Sequence, residues 1–186
     1  MFATREYVGS EIFDVSFAKT QVRALQEADD EDQLIEHMIA AAREYCENIT
    51  GRAFRPCRVT AYPENTADMQ RLPMIPVMAE DVTLEKRDAS GEYLAMERSS
   101  YILDAAGGTL RIPSAGGGAP DASPYRLTYQ AGHPEGETPA AAIQAMLMLI
   151  GHWYQNRESV QIGAVATVEI EMSTRNLLKQ YRAWWY

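Results

Sequence analysis

The spacing of hydrophobic and polar positions divides the chain into a helical beginning, a strand-like middle and a helical end. In residues 31–50, apolar side chains recur every three or four positions as one stripe, and Gly51 stands where a left-handed residue ends a helix. A second long stripe fills residues 139–159, with Thr138 as N-cap and Pro139 at the first helical position. The pattern therefore predicts two long helices.

Two shorter helices are predicted outside these. The segment VSFAKTQVRAL (residues 15–25) has Ser16 as a plausible N-cap, and Ser173 is placed to cap a last helix. Between the third and the fourth helix, residues 160–172 are predicted to form a loop or an extended arm.

The middle of the chain has a different period. From about residue 55 to residue 132, short alternating or β-branched stretches are separated by turn sequences such as DASGE and AAGG. RLPMIPV (residues 71–77) contains two prolines and is predicted as an edge strand or an extended link, because proline cannot donate to a strand ladder. SAGGGAPDASP (residues 114–124) is predicted as a flexible, exposed loop.

The order of these elements predicts the fold class. We expect an α+β protein with a mainly α-helical bundle core and a small antiparallel β-rich insertion. The helical core would consist of residues 14–54 plus 134–186, and the β-rich insertion of residues 55–133.

Charge and composition narrow the function. The 186 residues carry a formal net charge of −9, and residues 1–50 hold eleven Asp and Glu against four Lys and Arg. A general nucleic-acid binder is disfavoured, because phosphate contacts need clustered Lys and Arg. No apolar run is long enough to cross a bilayer, and the first residues lack the basic-then-apolar order of a signal peptide. Cys46 and Cys57 fit no metal-ligand spacing and are predicted to be reduced thiols of a cytosolic protein.

The segment GHWYQNRESV (residues 151–160) is the strongest candidate for chemistry. His152 and Glu158 are separated by about 600° of helical rotation and therefore lie on different faces, while His152 and Asn156 share a face that offers no nucleophile. The acidic run at residues 29–32 fits helix capping and the helix dipole better than a metal site, and the glycine-rich stretches lack the ending of a phosphate loop. We therefore predict no catalytic residue, no metal site and no cofactor.

Two long motifs in order resemble a known family. DEDQLIEHMIAAAREYCENITGRAF followed by PAAAIQAMLMLIGHWYQNRESV is similar to the head–tail connector (adaptor, or head-completion) proteins of long-tailed bacteriophages. An LP..PV segment, a D..G hairpin, a Y.AG strand and a closing LL..YR helix extend the resemblance over residues 14–186. The signature residues that it marks as structural are Thr50, Gly51, Arg52, Trp153, Tyr154, Asn156, Arg157 and Glu158.

The resemblance implies a virion structural protein rather than an enzyme. Its subunits would form a homo-oligomeric ring, a dodecamer in the virion, beneath the portal vertex and above a downstream neck or tail-completion protein. DNA would pass through the lumen without sequence-specific binding, no membrane would be involved, and the protein would be made in the host bacterial cytoplasm. Loops at residues 114–124 and 159–170 are expected to order only on assembly. The alternatives are another neck protein, such as a stopper or tail-completion subunit, and a small cytosolic enzyme.

The final residues, KQYRAWWY, carry the site prediction. Adaptors of this family are thought to reach the portal with their C-terminal segment, and large aromatic residues beside arginine are typical interface anchors. The predicted portal-binding residues are Lys179, Arg182, Trp184, Trp185 and Tyr186. The alternative, that Trp184 and Trp185 fold back onto the core of their own subunit, stays open at this point.

Overall fold

The computed structural model describes residues 1–24, 29–113, 125–156, 165–183 and 185. These residues fall into two compact units. The β unit comprises Met1–Val8, Arg55–Pro134 and Trp185, and the helical unit comprises Gly9–Phe54 and the described residues from Glu135 to Ala183. In chain order the elements are β1 Phe2–Tyr7, α1 Val15–Val22, α2 Asp32–Thr50, β2 Cys57–Tyr62, β3 Val77–Arg87, β4 Tyr93–Ala95, β5 Ile102–Asp104, β6 Thr109–Arg111, β7 Tyr125–Ala131, α3 Ala140–Gln155 and α4 Val165–Leu178.

The β unit is built on a five-stranded antiparallel sheet with the strand order β1-β2-β7-β3-β4. Every second residue of β7 is buried, which is the pattern of a strand with one face in a core. On that face the Tyr129 hydroxyl lies 3.2 Å from both the backbone nitrogen and the carbonyl oxygen of Met74. A separate two-stranded sheet pairs β5 with β6.

Gly132 follows β7 and explains the glycine of the YQAG sequence. Its φ is +116°, and a Cβ at this position would lie 2.4 Å from the carbonyl oxygen of Arg55. Its own N–H donates to the carbonyl oxygen of Pro76 at 3.0 Å. Only glycine fits this close approach of backbone to backbone.

The helical unit packs around α2 and α3. The predicted apolar stripe of α2 is buried, and Gly51 ends the helix with a φ of 67° as expected from the sequence. α1 and the end of α4 complete the core. The core residues that are at most 2% exposed are Ala18, Ile35, Ile39, Ala42, Cys46, Phe54, Ala142, Ala145, Met146, Leu149, Ile150 and Leu178.

The prediction of a helical-bundle core was wrong. The chain is a mixed α+β protein, 39% helical and 26% strand, with antiparallel sheets. The sheet is five-stranded and buries its own core, including Val59, Leu84 and Leu127, so it is more than a small insertion. Sequence analysis underestimated it because β1 was missed: most residues of this edge strand are exposed, and no apolar alternation marks it. The division into domains at residues 54 and 134 stays a prediction.

Several helices and strands also begin at residues other than those predicted. Asp14, and not Ser16, caps α1, because its carboxylate accepts the N–H of Phe17 at 2.8 Å. α4 already begins at Val165, so residues 165–170 are helical and Ser173 lies inside the helix. β3 begins at Val77, the last residue of the proline-containing segment. The predicted loop 114–124 and residues 159–164 lie outside the described residues.

No helix in the described ranges combines the length and the apolar character needed to cross a membrane. Both cysteines are free thiols, as predicted, and both are buried.

The thiol of Cys46 is expected to resist labelling in the folded protein. Burial, and secondarily the negative charge of Glu47, raise its pKa from 9.0 to about 12. That difference leaves about a thousandfold less thiolate at neutral pH, and the thiolate is the reactive form. A thiol-reactive dye should therefore label neither cysteine in native buffer and both in denaturant. Rapid native labelling that peptide mapping assigns to Cys46 would contradict this expectation.

Candidate functional site

The turn Thr50-Gly51-Arg52 closes the C-terminal end of α2. The buried Thr50 hydroxyl donates to the carbonyl oxygen of Cys46 at 2.8 Å. The N–H of Gly51 donates to the carbonyl oxygen of Glu47 at 2.9 Å, in a left-handed conformation that glycine adopts at low cost. The turn thereby satisfies carbonyl groups that the helix end would otherwise leave without donors.

The same turn holds the segment that follows α4. The N–H of Ala183 donates to the carbonyl oxygen of Thr50 at 2.7 Å. Nε of Arg52 donates to the carbonyl oxygen of Tyr181, and burial lowers the pKa of the Arg52 guanidinium from its ordinary value. The ring of Tyr181 meets Phe54 edge-on, with the ring centroids 6.4 Å apart. These contacts fix residues 181–183, to which the predicted portal-binding aromatic residues are attached.

A charged network is buried next to this turn. Glu47 is 0% exposed, and its carboxylate accepts from Nη1 of Arg43 at 3.2 Å and from the N–H of Phe54 at 2.8 Å. Nε of Arg43 also lies 3.1 Å from both carboxylate oxygens of Glu11. Because a buried charge is costly unless it is paired and hydrogen-bonded, this network ties α2 to the segments before and after it.

The described residues at the end of α3 form a helix cap. The side-chain nitrogen Nδ2 of Asn156 donates to the carbonyl oxygen of His152 at 2.8 Å and lies 3.0 Å from its ring atom Nδ1. The Tyr154 hydroxyl donates to the carboxylate of Glu31, and Trp153 packs against the helical core. His152 and Asn156 therefore meet as the sequence predicted, in a structural role. Arg157 and Glu158 lie outside the described residues.

A cleft of about 450 Å³ opens beside the C-terminal end of α2. We call it the basic cleft. Lys179 and Arg182 are exposed there, and neither forms an ion pair with another described residue. Sequence analysis identified these two cations but did not predict that residues of α2 line the same cleft. The polar residues of the lining are Asn48, Thr50, Arg175, Asn176, Lys179 and Arg182.

A second cleft, of about 620 Å³, lies beside the N-terminal end of α2. We call it the acidic cleft. Among the described residues of its lining the one cation is Lys19, which is buried and forms an ion pair with Asp32. The N–H of Phe17 and the hydroxyl of Ser16 both donate to Asp14 and lower the pKa of that carboxyl. The charged residues of the lining are Glu11, Asp14, Lys19, Asp29, Asp32 and Glu36.

Of the three predicted portal-binding aromatic residues, the structure describes Trp185. Trp185 is partly buried in the β unit, where its ring lies over Gly108, close enough that a Cβ on that glycine would be 2.8 Å from the ring atom Cη2. Trp184 and Tyr186 lie outside the described residues. Of the predicted portal-binding set, Lys179 and Arg182 line the basic cleft and Trp185 lies in the β unit. Portal binding stays a prediction.

Among the described residues, no group of three or more His, Cys, Asp or Glu side chains has the proximity that a metal ion needs. The acidic run at residues 29–32 contributes to the acidic cleft and to the start of α2.

Three chains from structures of a gene transfer agent (GTA) particle share this fold. One comes from the virion of the native particle (TM-score 0.67, 20% identity), one from the neck of the empty particle computed with C6 symmetry (0.65, 22%), and one from the neck of the native particle computed with C12 symmetry (0.63, 19%). Each match covers 97% of this chain and 95% of the other. No curated protein matches this chain.

The chain belongs to the head completion protein family, whose sequence model matches residues 11–183. The family expected from the sequence is thus confirmed, and so is a structural role in the head–tail neck of a virion. The family is described by its place in the virion and not by a reaction.

Proposed function

We propose that the protein forms a ring at the head–tail junction of a virion, beneath the portal vertex, and joins the head to the tail. The observation that carries the proposal is the similarity of 97% of the chain to a subunit from a neck computed with C12 symmetry. Twelvefold symmetry in that particle supports a dodecamer here. Membership of the head completion family supports the same place in the virion.

The proposed partners are a portal protein on one side of the ring and a downstream neck or tail-completion protein on the other. We assign the portal contact to Trp184, Trp185 and Tyr186, because aromatic side chains are common anchors of interfaces. The bonds from Thr50 and Arg52 to the preceding residues would present this segment in one position. Lys179 and Arg182 line the basic cleft, and we assign their charge to a contact other than the portal.

DNA would pass through the ring without being bound by sequence. Each subunit contributes a net charge of −9, and an acidic wall repels phosphates and lets a duplex slide. This role requires no catalytic group, and we propose that the protein is not an enzyme.

Removing the gene from the cells that make the particle is expected to leave DNA-filled heads without tails. A tagged copy supplied from a plasmid should restore the tails and label the neck in electron micrographs. Purified portal protein should bind the tagged copy directly, whereas a stopper or tail-completion subunit would bind only through another neck protein. Tailed particles that form without the gene, or a label confined to the head shell or the tail tip, would refute the proposed function.

A further inference from the structure

The two clefts of opposite charge lie at opposite ends of α2. The basic cleft includes Asn48 and Thr50 in the last turn of this helix, and the acidic cleft includes Asp32 and Glu36 in its first turns. At a rise of about 1.5 Å per residue, these residues are roughly 18–27 Å apart along the helix axis. Both clefts belong to the helical unit, so their separation is a property of one compact body.

The helix dipole does not account for this charge separation. A helix dipole corresponds to about half a charge at each end. The basic cleft holds two lysine or arginine side chains, Lys179 and Arg182, that are exposed and form no ion pair with a described residue. In the acidic cleft, the carboxylates of Asp29 and Glu36 are likewise exposed and form no ion pair with a described residue. Each cleft therefore presents charged side chains that form no ion pair with any described residue of the same subunit.

Apolar surface accompanies the acidic cleft. The rings of Phe13 and Phe17 pack edge-on at a centroid distance of 5.6 Å beside Asp14, and 48% of Phe17 stays exposed. Exposed aromatic side chains beside charged ones are typical of protein interfaces. A hydrated ion would not use this aromatic surface.

We infer that the basic cleft of one subunit receives the acidic cleft of a second copy, so that subunits associate head to tail. The inference rests on the proposed ring, since a contact between two different surfaces of the same chain generates a cyclic ring when its rotation closes. In this contact, Lys179 and Arg182 of one copy face Asp29 and Glu36 of the next. Phe17 lies at the edge of the contact.

DNA is the other polyanion that the basic cleft could bind. Two observations favour a second copy. The protein carries a net charge of −9, which opposes approach of a duplex, and DNA offers nothing to the acidic cleft with its exposed Phe17. A second copy satisfies both clefts at once.

Charge reversal in the producing cells tests this contact. The first variant, Lys179→Glu with Arg182→Glu, makes both clefts acidic. The second, Asp29→Lys with Glu36→Lys, removes the net negative charge of the acidic cleft and places two lysines where Lys179 and Arg182 of the next copy would bind. Each variant alone is expected to lower the yield of tailed particles at least about tenfold, because like charges then face each other across every contact.

Co-expression of the two variants provides the decisive result. Each reversed cleft then finds a complementary one on the other variant, so an even-numbered ring closes and the yield of tailed particles is expected to recover. The matched control for the first variant, Lys86→Glu with Arg111→Glu, makes the same change in net charge as that variant at exposed residues of the β unit and should leave the yield unchanged. Full yield from either variant alone, or failure of two folded variants to rescue each other, would overturn the inference.

If the charge-reversed variants fail to fold, cross-linking within assembled particles tests the same contact. Asn176→Cys with Glu36→Cys places one thiol in each cleft, and a short bis-maleimide should link neighbouring subunits into a ladder of multimers. The pair Lys86→Cys with Glu36→Cys serves as the control and should give no ladder. A protein that is present in the neck but gives no ladder contradicts the head-to-tail contact alone, whereas absence of the wild-type protein from the neck refutes the proposed function.

Discussion

Replacing Glu47 with alanine is expected to lower the free energy of unfolding by about 3–5 kcal/mol, as happens when one partner is removed from a buried ion pair. The carboxylate is completely buried and lies 3.2 Å from Nη1 of Arg43. The substitution takes this partner from an arginine that is itself 2% exposed, and it removes the acceptor that lies 2.8 Å from the N–H of Phe54. Urea unfolding of both proteins, followed by circular dichroism, measures the difference.

Glu44→Ala is the matched control for this prediction. Glu44 lies on the same helix and contacts the same arginine, with 3.7 Å between Nη2 of Arg43 and its carboxylate, but its side chain is 53% exposed. Removing it is expected to change the free energy of unfolding by less than about 1 kcal/mol, because water screens an exposed ion pair. Equal losses for Glu44→Ala and Glu47→Ala would show that burial does not determine the effect.

The structure gives a physical reason for more residues of the segment REYCENITGR (residues 43–52) than sequence analysis singled out. Only Thr50, Gly51 and Arg52 were marked as signature residues. Arg43 and Glu47 were missed because charged residues on an amphipathic helix usually belong to its exposed face. The spacing did contain a signal, since both residues follow the buried Ile39 at intervals of four and therefore continue the apolar face.

Local sequence information was sufficient for the elements with strong periodicity. The stripe of α2, its glycine end and the alternation of β7 were readable because each depends on neighbours three, four or two positions away. The family motifs reached further, since residues such as Gly132 record a tertiary constraint, here the approach of the Arg55 carbonyl group. These features identified the family without defining the architecture.

The architecture depended on contacts between residues that are distant in sequence. β1 pairs with β2, from Phe2 with Tyr62 to Tyr7 with Cys57, and nothing within β1 itself records this distant partner. The basic cleft needs Asn48 and Lys179 on one surface, and the acidic cleft needs Glu11 beside Glu36. Single-sequence patterns describe one element at a time, so they located several charged residues but neither cleft.

Replacing Trp184 and Tyr186 with alanine while Trp185 is kept is expected to abolish attachment of the ring to the portal. Aromatic anchors of an interface each contribute about 2 kcal/mol or more, so the loss of one weakens binding roughly 30-fold and the loss of both roughly a thousandfold. The bonds from Thr50 and Arg52 to residues 181–183 stay in place, and so does the packing of Trp185 over Gly108. The melting temperature should therefore be unchanged while tailed particles disappear.

Trp185→Ala separates the two interpretations of the chain end. Because the Trp185 ring packs over Gly108 within the β unit, its removal is expected to lower the melting temperature. If the aromatic segment served only the fold, then Trp185→Ala would destabilise the protein and the variant lacking Trp184 and Tyr186 would still join heads to tails. Binding of purified portal protein, measured for both variants beside their melting curves, distinguishes a segment that holds the subunit together from one that also holds it to its neighbour. Normal portal binding by the variant that lacks Trp184 and Tyr186 would remove the portal contact from these residues.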